Sequence, residues 1–120
     1  HTRDRRQRQM CIRDSTNGHL YLYNHVSSKS IIFGTVGTNR AGFDSNGHFS
    51  PWANNTYDLG TSSERWRNIY TNDLNLSNEG STNSVDNTWG NYTIQEGESD
   101  LYLINNRNGK KYKFNLTEVN

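Results

Sequence analysis

The chain is poor in the residues that build self-sufficient cores and covalent frameworks. It has one cysteine, one methionine and one proline in 120 residues, and hydrophobic residues make up only 30%. A single cysteine excludes an intrachain disulfide and any zinc site built on cysteines. No window comes near the ~18 apolar residues of a membrane-spanning helix, and no short apolar run follows a basic start as in a secretory leader; membrane insertion is not expected. Neither sign of charge prevails. Thirteen basic residues against 12 acidic leave a formal net of +1, so no global field points to nucleic acid or an anionic surface. What is abundant is small and polar: Asn, Ser and Thr fill 18, 12 and 11 positions.

The basic residues are also unevenly placed. Arg5-Arg6-Gln7-Arg8-Gln9-Met10-Cys11-Ile12-Arg13-Asp14 back-translates as CGT CGG CAG CGT CAG ATG TGT ATA AGA GAC, which resembles, base for base, a transposon adapter used to build sequencing libraries. A natural basic arm for nucleic acid or anionic lipid is the rival reading. Ten consecutive codons favour the adapter, so residues 1–15 are expected to be adapter-derived or disordered and outside the fold. Residues 15–120 then carry eight basic and ten acidic groups, a net of −2, and the basic-arm reading loses its basis. On this view the chain is a fragment that lacks its own N-terminal part.

The remainder reads as β from end to end. Leu20-Tyr21-Leu22-Tyr23 alternates, with leucines on one face and tyrosines on the other. Ile31-Ile32-Phe33 is a short apolar run stopped by Gly34, and Gly34, Gly37, Gly42 and Gly47 recur too closely for a stable helix. Asp44-Ser45-Asn46-Gly47 is a turn signal, and Pro51 soon after it points to an edge or a crossover. Ser63–Trp66 could form one helical turn capped by Ser62. Ile69–Leu76 alternates enough for a strand. Residues 78–88 hold one apolar residue in eleven and read as a loop or flexible link. The chain is thus divided into a Gly/Asn-rich segment, 16–77, the loop 78–88 and a C-terminal module, 89–120.

In that module Asn108-Gly109 suits a two-residue hairpin loop. The register then pairs Leu101 with Leu116, Leu103 with Phe114 and Asn105 with Tyr112. One face gathers Leu101, Leu103, Tyr112, Phe114 and Leu116; the other carries Tyr102, Ile104, Lys111, Lys113 and Asn115.

The supply of large apolar side chains is too thin to offset the ordering of so polar a chain, even with every tyrosine buried. A partner chain that completes the core would make up the shortfall.

No catalytic motif survives inspection. There is no Gly-x-Ser-x-Gly elbow. His19, His25 and His48 sit in turn-like or strand-end contexts without metal-binding spacing, although a trimer could gather one histidine per chain around an axial ion. Glu96, Glu98 and Asp100 flank Gly97 and read as a solvated turn rather than a glycosidase pair. Asp44–Gly47 lacks the spacing and closing glutamate of a calcium loop. The Asn-x-Ser/Thr triplets at Asn54, Asn75, Asn91 and Asn115 are about as many as chance supplies in such a composition. No enzyme activity, cofactor or metal is expected. Trp52, Trp66, Trp89 and the tyrosines either form a sugar-stacking platform or fill a core between strands or chains; core is favoured for Trp66.

Tyr57-Asp58-Leu59-Gly60-Thr61-Ser62-Ser63-Glu64-Arg65-Trp66-Arg67-Asn68-Ile69-Tyr70 resembles a motif of bacteriophage tail fibres and tailspikes, Leu-Gly, three small residues, then Arg-Trp and an aliphatic-Tyr pair. Gly34–Pro51, with Arg40, Phe43, Asp44, Ser45 and Gly47, resembles the shaft units of the same family. Trp89–Val119 is similar to terminal segments of fibre-like proteins of marine phages. Together the resemblance covers residues 31–119. It implies an all-β, elongated, trimeric β-fibre ending in a C-terminal hairpin, located in the virion tail fibre. The implied role is structural: a homotrimeric shaft and tip that presents a surface to a host polysaccharide or protein receptor. Leu59, Gly60, Trp66, Ile69 and Tyr70 would form the shaft junction and, with the hairpin face, the trimer core. Trp52, Asn54 and Asn55 are the candidate receptor contacts. Many relatives continue into a self-cleaving intramolecular chaperone of the endosialidase type, whose Ser-Asp-x-Arg-x-Lys signature is absent here, so autoproteolysis is not carried over. A monomeric carbohydrate-binding β-sandwich is the alternative.

Overall fold

The computed structural model describes residues 10–14 and 17–120, and among them it is all-β, with nine strands and no helix. The strands are β1 (Met10–Asp14), β2 (Leu20–Asn24), β3 (Ile31–Thr35), β4 (Thr38–Phe43), β5 (Phe49–Pro51), β6 (Leu74–Ser77), β7 (Asn91–Glu96), β8 (Leu101–Asn105) and β9 (Lys111–Lys113). They form three sheets in the orders β1-β2, β3-β4-β5 and β6-β7-β8-β9. Every pairing is antiparallel and joins sequence neighbours.

Residues 1–9 and 15, expected to stand outside the fold, lie outside the described residues. Met10–Asp14 departs from that expectation and pairs with β2, Cys11 opposite Tyr23 and Arg13 opposite Tyr21.

The β3-β4 hairpin turns on Val36-Gly37, both with positive φ (52° and 67°). That is the combination that matches the right-handed twist of the flanking strands. The strand expected to stop at Gly34 continues to Thr35 through an irregularity at Phe33/Gly34. The Asp44–Gly47 turn forms as the sequence suggests, with the Gly47 N–H donating to the Asp44 carbonyl at 3.0 Å. Pro51 closes β5, a three-residue edge strand, where a missing N–H does least harm.

The junction between these sheets and the C-terminal one differs from expectation. Ser63–Trp66 makes no helical turn; instead the Thr61 N–H donates to the Glu64 carbonyl (2.9 Å) and the Thr61 hydroxyl accepts the Glu64 N–H (2.9 Å). The alternation of residues 69–76 becomes strand only from Leu74. At Asp73 the ladder gives way to a side-chain bond, Gln95 Nε2 donating to its carboxylate at 3.1 Å. The chain divides into two units between Arg65 and Trp66, and β6 pairs with β7. The expected boundary after residue 77 is therefore not where the contacts divide.

In the C-terminal sheet the register is Tyr102↔Lys113, Leu103↔Tyr112 and Ile104↔Lys111, two residues off the expected pairing. The loop is longer than two residues. The Asn105 N–H donates to the Lys110 carbonyl (2.8 Å), closing Asn106–Gly109 with Gly109 at φ 76°. An even shift keeps every side chain on its face, so Leu101, Leu103, Tyr112 and Phe114 still share one side. They are joined there by Leu74, Leu76, Tyr92 and Ile94. Leu116 loses its expected partner Leu101, whose carbonyl accepts the Phe114 N–H instead (3.0 Å), and it is 75% exposed.

Among the described residues no hydrophobic side chain is buried; the one buried residue is Thr93, 7% exposed. It lies on the polar face, donating its hydroxyl to Asn75 Oδ1 (2.7 Å) and accepting from Asn106 Nδ2 (2.9 Å).

Candidate functional site

The β6-β7 and β8-β9 connections lie at the same end of the four-stranded sheet, because β7 runs away from residue 90 and β8 returns to residue 105. The Asn106 N–H fastens the two together by donating to the Asn91 carbonyl (2.8 Å). Residues 78–88 form no strand, as their composition suggests, yet they are tied internally. Asn83 Nδ2 donates to Asp86 Oδ1 (2.7 Å) and to the Thr88 carbonyl (2.9 Å), while its Oδ1 accepts the N–H groups of Val85 (2.8 Å) and Asp86 (3.0 Å). Asp86 Oδ1 also accepts the Thr88 hydroxyl (2.7 Å) and N–H (3.1 Å). Those donors, the Thr88 hydroxyl first and the Asn83 amide second, hold the Asp86 carboxyl below its ordinary value. Asn87 is held at φ 60°, a conformation Asn tolerates better than most residues.

Trp89 leaves this loop half-buried. The Arg107 guanidinium lies over its ring, 3.8 Å from the centroid, and donates to the Trp89 carbonyl at 3.0 Å. Beside it opens a pocket of ≈ 590 Å³ lined by Asn75, Ser77, Asn78, Asp86, Trp89 and Tyr92 among others. The sheet's other end is acidic: Glu96, Glu98 and Asp100 frame a turn in which the Gly97 N–H donates to the Asp100 carbonyl (2.7 Å).

The side chains expected at a shaft junction are exposed, like the chain around them. Leu59 is 72% exposed, Trp66 65%, Ile69 70% and Tyr70 92%; Gly60, at φ 85°, turns the chain among them. Trp66, expected in a core, occupies none within its own chain. Of the candidate receptor contacts, Trp52 is exposed and fixed through its N–H to the Arg40 carbonyl (2.8 Å). Asn54 and Asn55 follow it in an exposed turn with Asn55 at φ 51°. Arg40 anchors this segment, bonding Thr35 Oγ1 (3.0 Å) and the Tyr57 hydroxyl (3.1 Å). His19, Tyr21, Tyr23 and His25 line up along one face of β2 and beyond, the two tyrosine rings nearly parallel at 5.9 Å and Tyr23 and His25 at 5.4 Å. The three described histidines do not converge, and among the described residues no group of three or more His, Cys, Asp or Glu could hold a metal ion. Nor is any described helix long and apolar enough to cross a membrane.

The sequence reading missed the Arg107–Trp89 pair and the Asn83–Asp86–Thr88 knot. The first joins residues 18 apart with no local signal. The second had one, an Asn and an Asp placed to accept from N–H groups two and three residues on.

No family model matches the chain, and no curated protein or solved structure matches it.

Proposed function

We propose that this chain forms part of the trimeric shaft and tip of a bacteriophage tail fibre, a structural, non-enzymatic component of the virion that presents a surface for host attachment. The observation that carries the trimeric part is exposure. Leu59, Trp66, Ile69 and Tyr70 stand in water in the single chain, and on the apolar face of the β6–β9 sheet Leu74, Leu76 and Tyr112 are exposed while Tyr92, Ile94, Leu101, Leu103 and Phe114 are half-buried. Apolar area of this extent is stable only when something covers it. Three copies that bury these surfaces against one another supply the missing core and shield open strand edges. The assignment to phage fibres rests on the Leu59–Tyr70 motif and the glycine-punctuated segment before it. A monomeric sugar-binding sandwich would hold a core between two sheets, and no buried hydrophobic residue among the described ones speaks for it.

Light scattering on the full chain tests the reading. A solution mass three times the 13.8 kDa of one chain is the expected result. A folded monomer overturns it and moves the sandwich to first place.

A further inference from the structure

We infer that the pocket between the 78–88 loop and Trp89 is a binding site for a neutral saccharide unit. The inference deepens the attachment role proposed above and rests on it for the ligand's origin at a cell surface; the pocket itself is built within one chain. Its volume of ≈ 590 Å³ lies in the range of small-ligand sites.

The lining decides the chemistry. Sugars offer vicinal hydroxyls that both donate and accept, and apolar C–H faces that lie against aromatic rings. Here the polar groups are of both kinds. The bonds that organise the loop fall on Asp86 Oδ1, which leaves Oδ2 to accept from a ligand. Asn75 spends its Oδ1 on Thr93 and keeps its Nδ2 to donate; the Ser77 oxygen accepts the Glu79 N–H at 3.2 Å and keeps its proton. Trp89 supplies the aromatic wall; Tyr92, the other aromatic residue of the lining, belongs to the opposite face of the sheet from Asn75 and Ser77.

The same lining argues against an acidic ligand. No lysine, arginine or histidine lines the pocket, and the nearby Arg107 is committed to the ring and carbonyl of Trp89. Asp86, the one charged group, would repel a phosphate, sulfate or uronate, and unpaired like charges are costly to bring together. A neutral hexose or N-acetylhexosamine remains. The site is also prepared in advance: the loop's amide and carboxylate bonds fix the polar groups before a ligand arrives, which lowers the entropic cost of binding.

The test is a titration of the isotope-labelled full chain with D-galactose, N-acetyl-D-glucosamine and maltose, and separately with D-glucuronate, followed by amide and indole NMR shifts. At least one neutral sugar is expected to shift the amides of 83–90 and the Trp89 indole, with glucuronate weaker. Asp86→Asn keeps an oxygen for the Thr88 bonds but replaces the free acceptor, and should weaken binding about tenfold or more. Ser77→Ala, which leaves the Asn83–Asp86 bonds in place, should weaken it by about threefold to tenfold. Lys29→Ala, in the other unit, should bind as the parent does. Silence toward all three neutral sugars, shifts confined to other residues, a preference for glucuronate, or full binding by both pocket variants each overturn the inference. Light scattering on the same samples keeps the two readings apart. A monomer that binds sugar in the pocket sinks the trimer and leaves the site, and a trimer that binds none does the reverse.

Discussion

Trp66 and Trp89 are the same residue in opposite circumstances. Trp89 is satisfied by its own chain: half-buried, a guanidinium over its ring, its carbonyl bonded, its loop tied by amides. Trp66 is 65% exposed in a stretch whose strongest bonds are local turns. The C-terminal sheet is stabilised by its own hydrogen bonds, whereas the residues from Leu59 to Tyr70 leave their apolar side chains exposed in the single chain. A polar chain can therefore be locally well ordered while part of its apolar surface stays uncovered, and that part is where the proposed assembly is to be tested.

The sharpest way to break this contrast is Trp66→Ala. If Trp66 packs between copies, its loss removes about 2 kcal/mol or more per copy, and light scattering should report monomers in which the β6–β9 ladder still protects its amides from exchange. An unchanged trimer would remove Trp66 from the interface. Next in size is Gly42→Ala, since a Cβ there would run into the Ile31 carbonyl oxygen. Thermal unfolding should show the β3-β4 hairpin destabilised by about 1–3 kcal/mol, with the C-terminal sheet untouched. Arg107→Ala should cost about 1 kcal/mol through the lost ring contact and hydrogen bond. It should red-shift the emission of Trp89 and leave that of Trp66 as it was, a distinction read by comparing Trp66→Phe and Trp89→Phe backgrounds.

The pH response sharpens the comparison further. Asp86 has a lowered carboxyl pKa, so the unfolded chain binds its proton more readily than the folded one. Its contribution is complete above the ordinary value of 3.8 and is lost as pH falls below that through the folded value. The protection of the Thr88 amide, its exchange rate measured against the intrinsic rate at the same pH, should fall in that acid window and stay constant at neutral pH; constant protection throughout would mean the carboxylate does not organise the loop. The smallest effect expected is a gain. Val36 is a β-branched residue at φ 52°, and Val36→Asn should stabilise the β3-β4 turn by about 0.5–1 kcal/mol, seen as a higher unfolding midpoint.

These contrasts were unequally legible in the sequence. The all-β class and the two faces of the C-terminal sheet follow from period-two alternation, which depends on residues close together in the chain. The register did not, because Asn108-Gly109 fits both a two-residue loop and the end of the four-residue loop that forms, and only the Asn105–Lys110 bond distinguishes them. Ile69–Leu76 carries a strand pattern, but a pattern becomes a strand only where a neighbour pairs with it, and pairing with β7 begins at Leu74. Residues 78–88 looked like a link because side-chain bonds from Asn83 and Asp86 do the work that apolar contacts do elsewhere. The Trp89–Arg107 pair was out of reach, since nothing local at either residue announces the other.

All three sheets are assembled from strands in strict chain order, without crossovers. Such a chain can be made and folded in instalments: each sheet closes its hydrogen bonds as soon as its last strand leaves the ribosome, with no wait for a distant segment. It also means that whole hairpins can be gained, lost or exchanged by recombination without rethreading what remains, much as units are in repeat proteins. Length then becomes the easiest property of such a molecule for evolution to adjust, and the ends the easiest to replace.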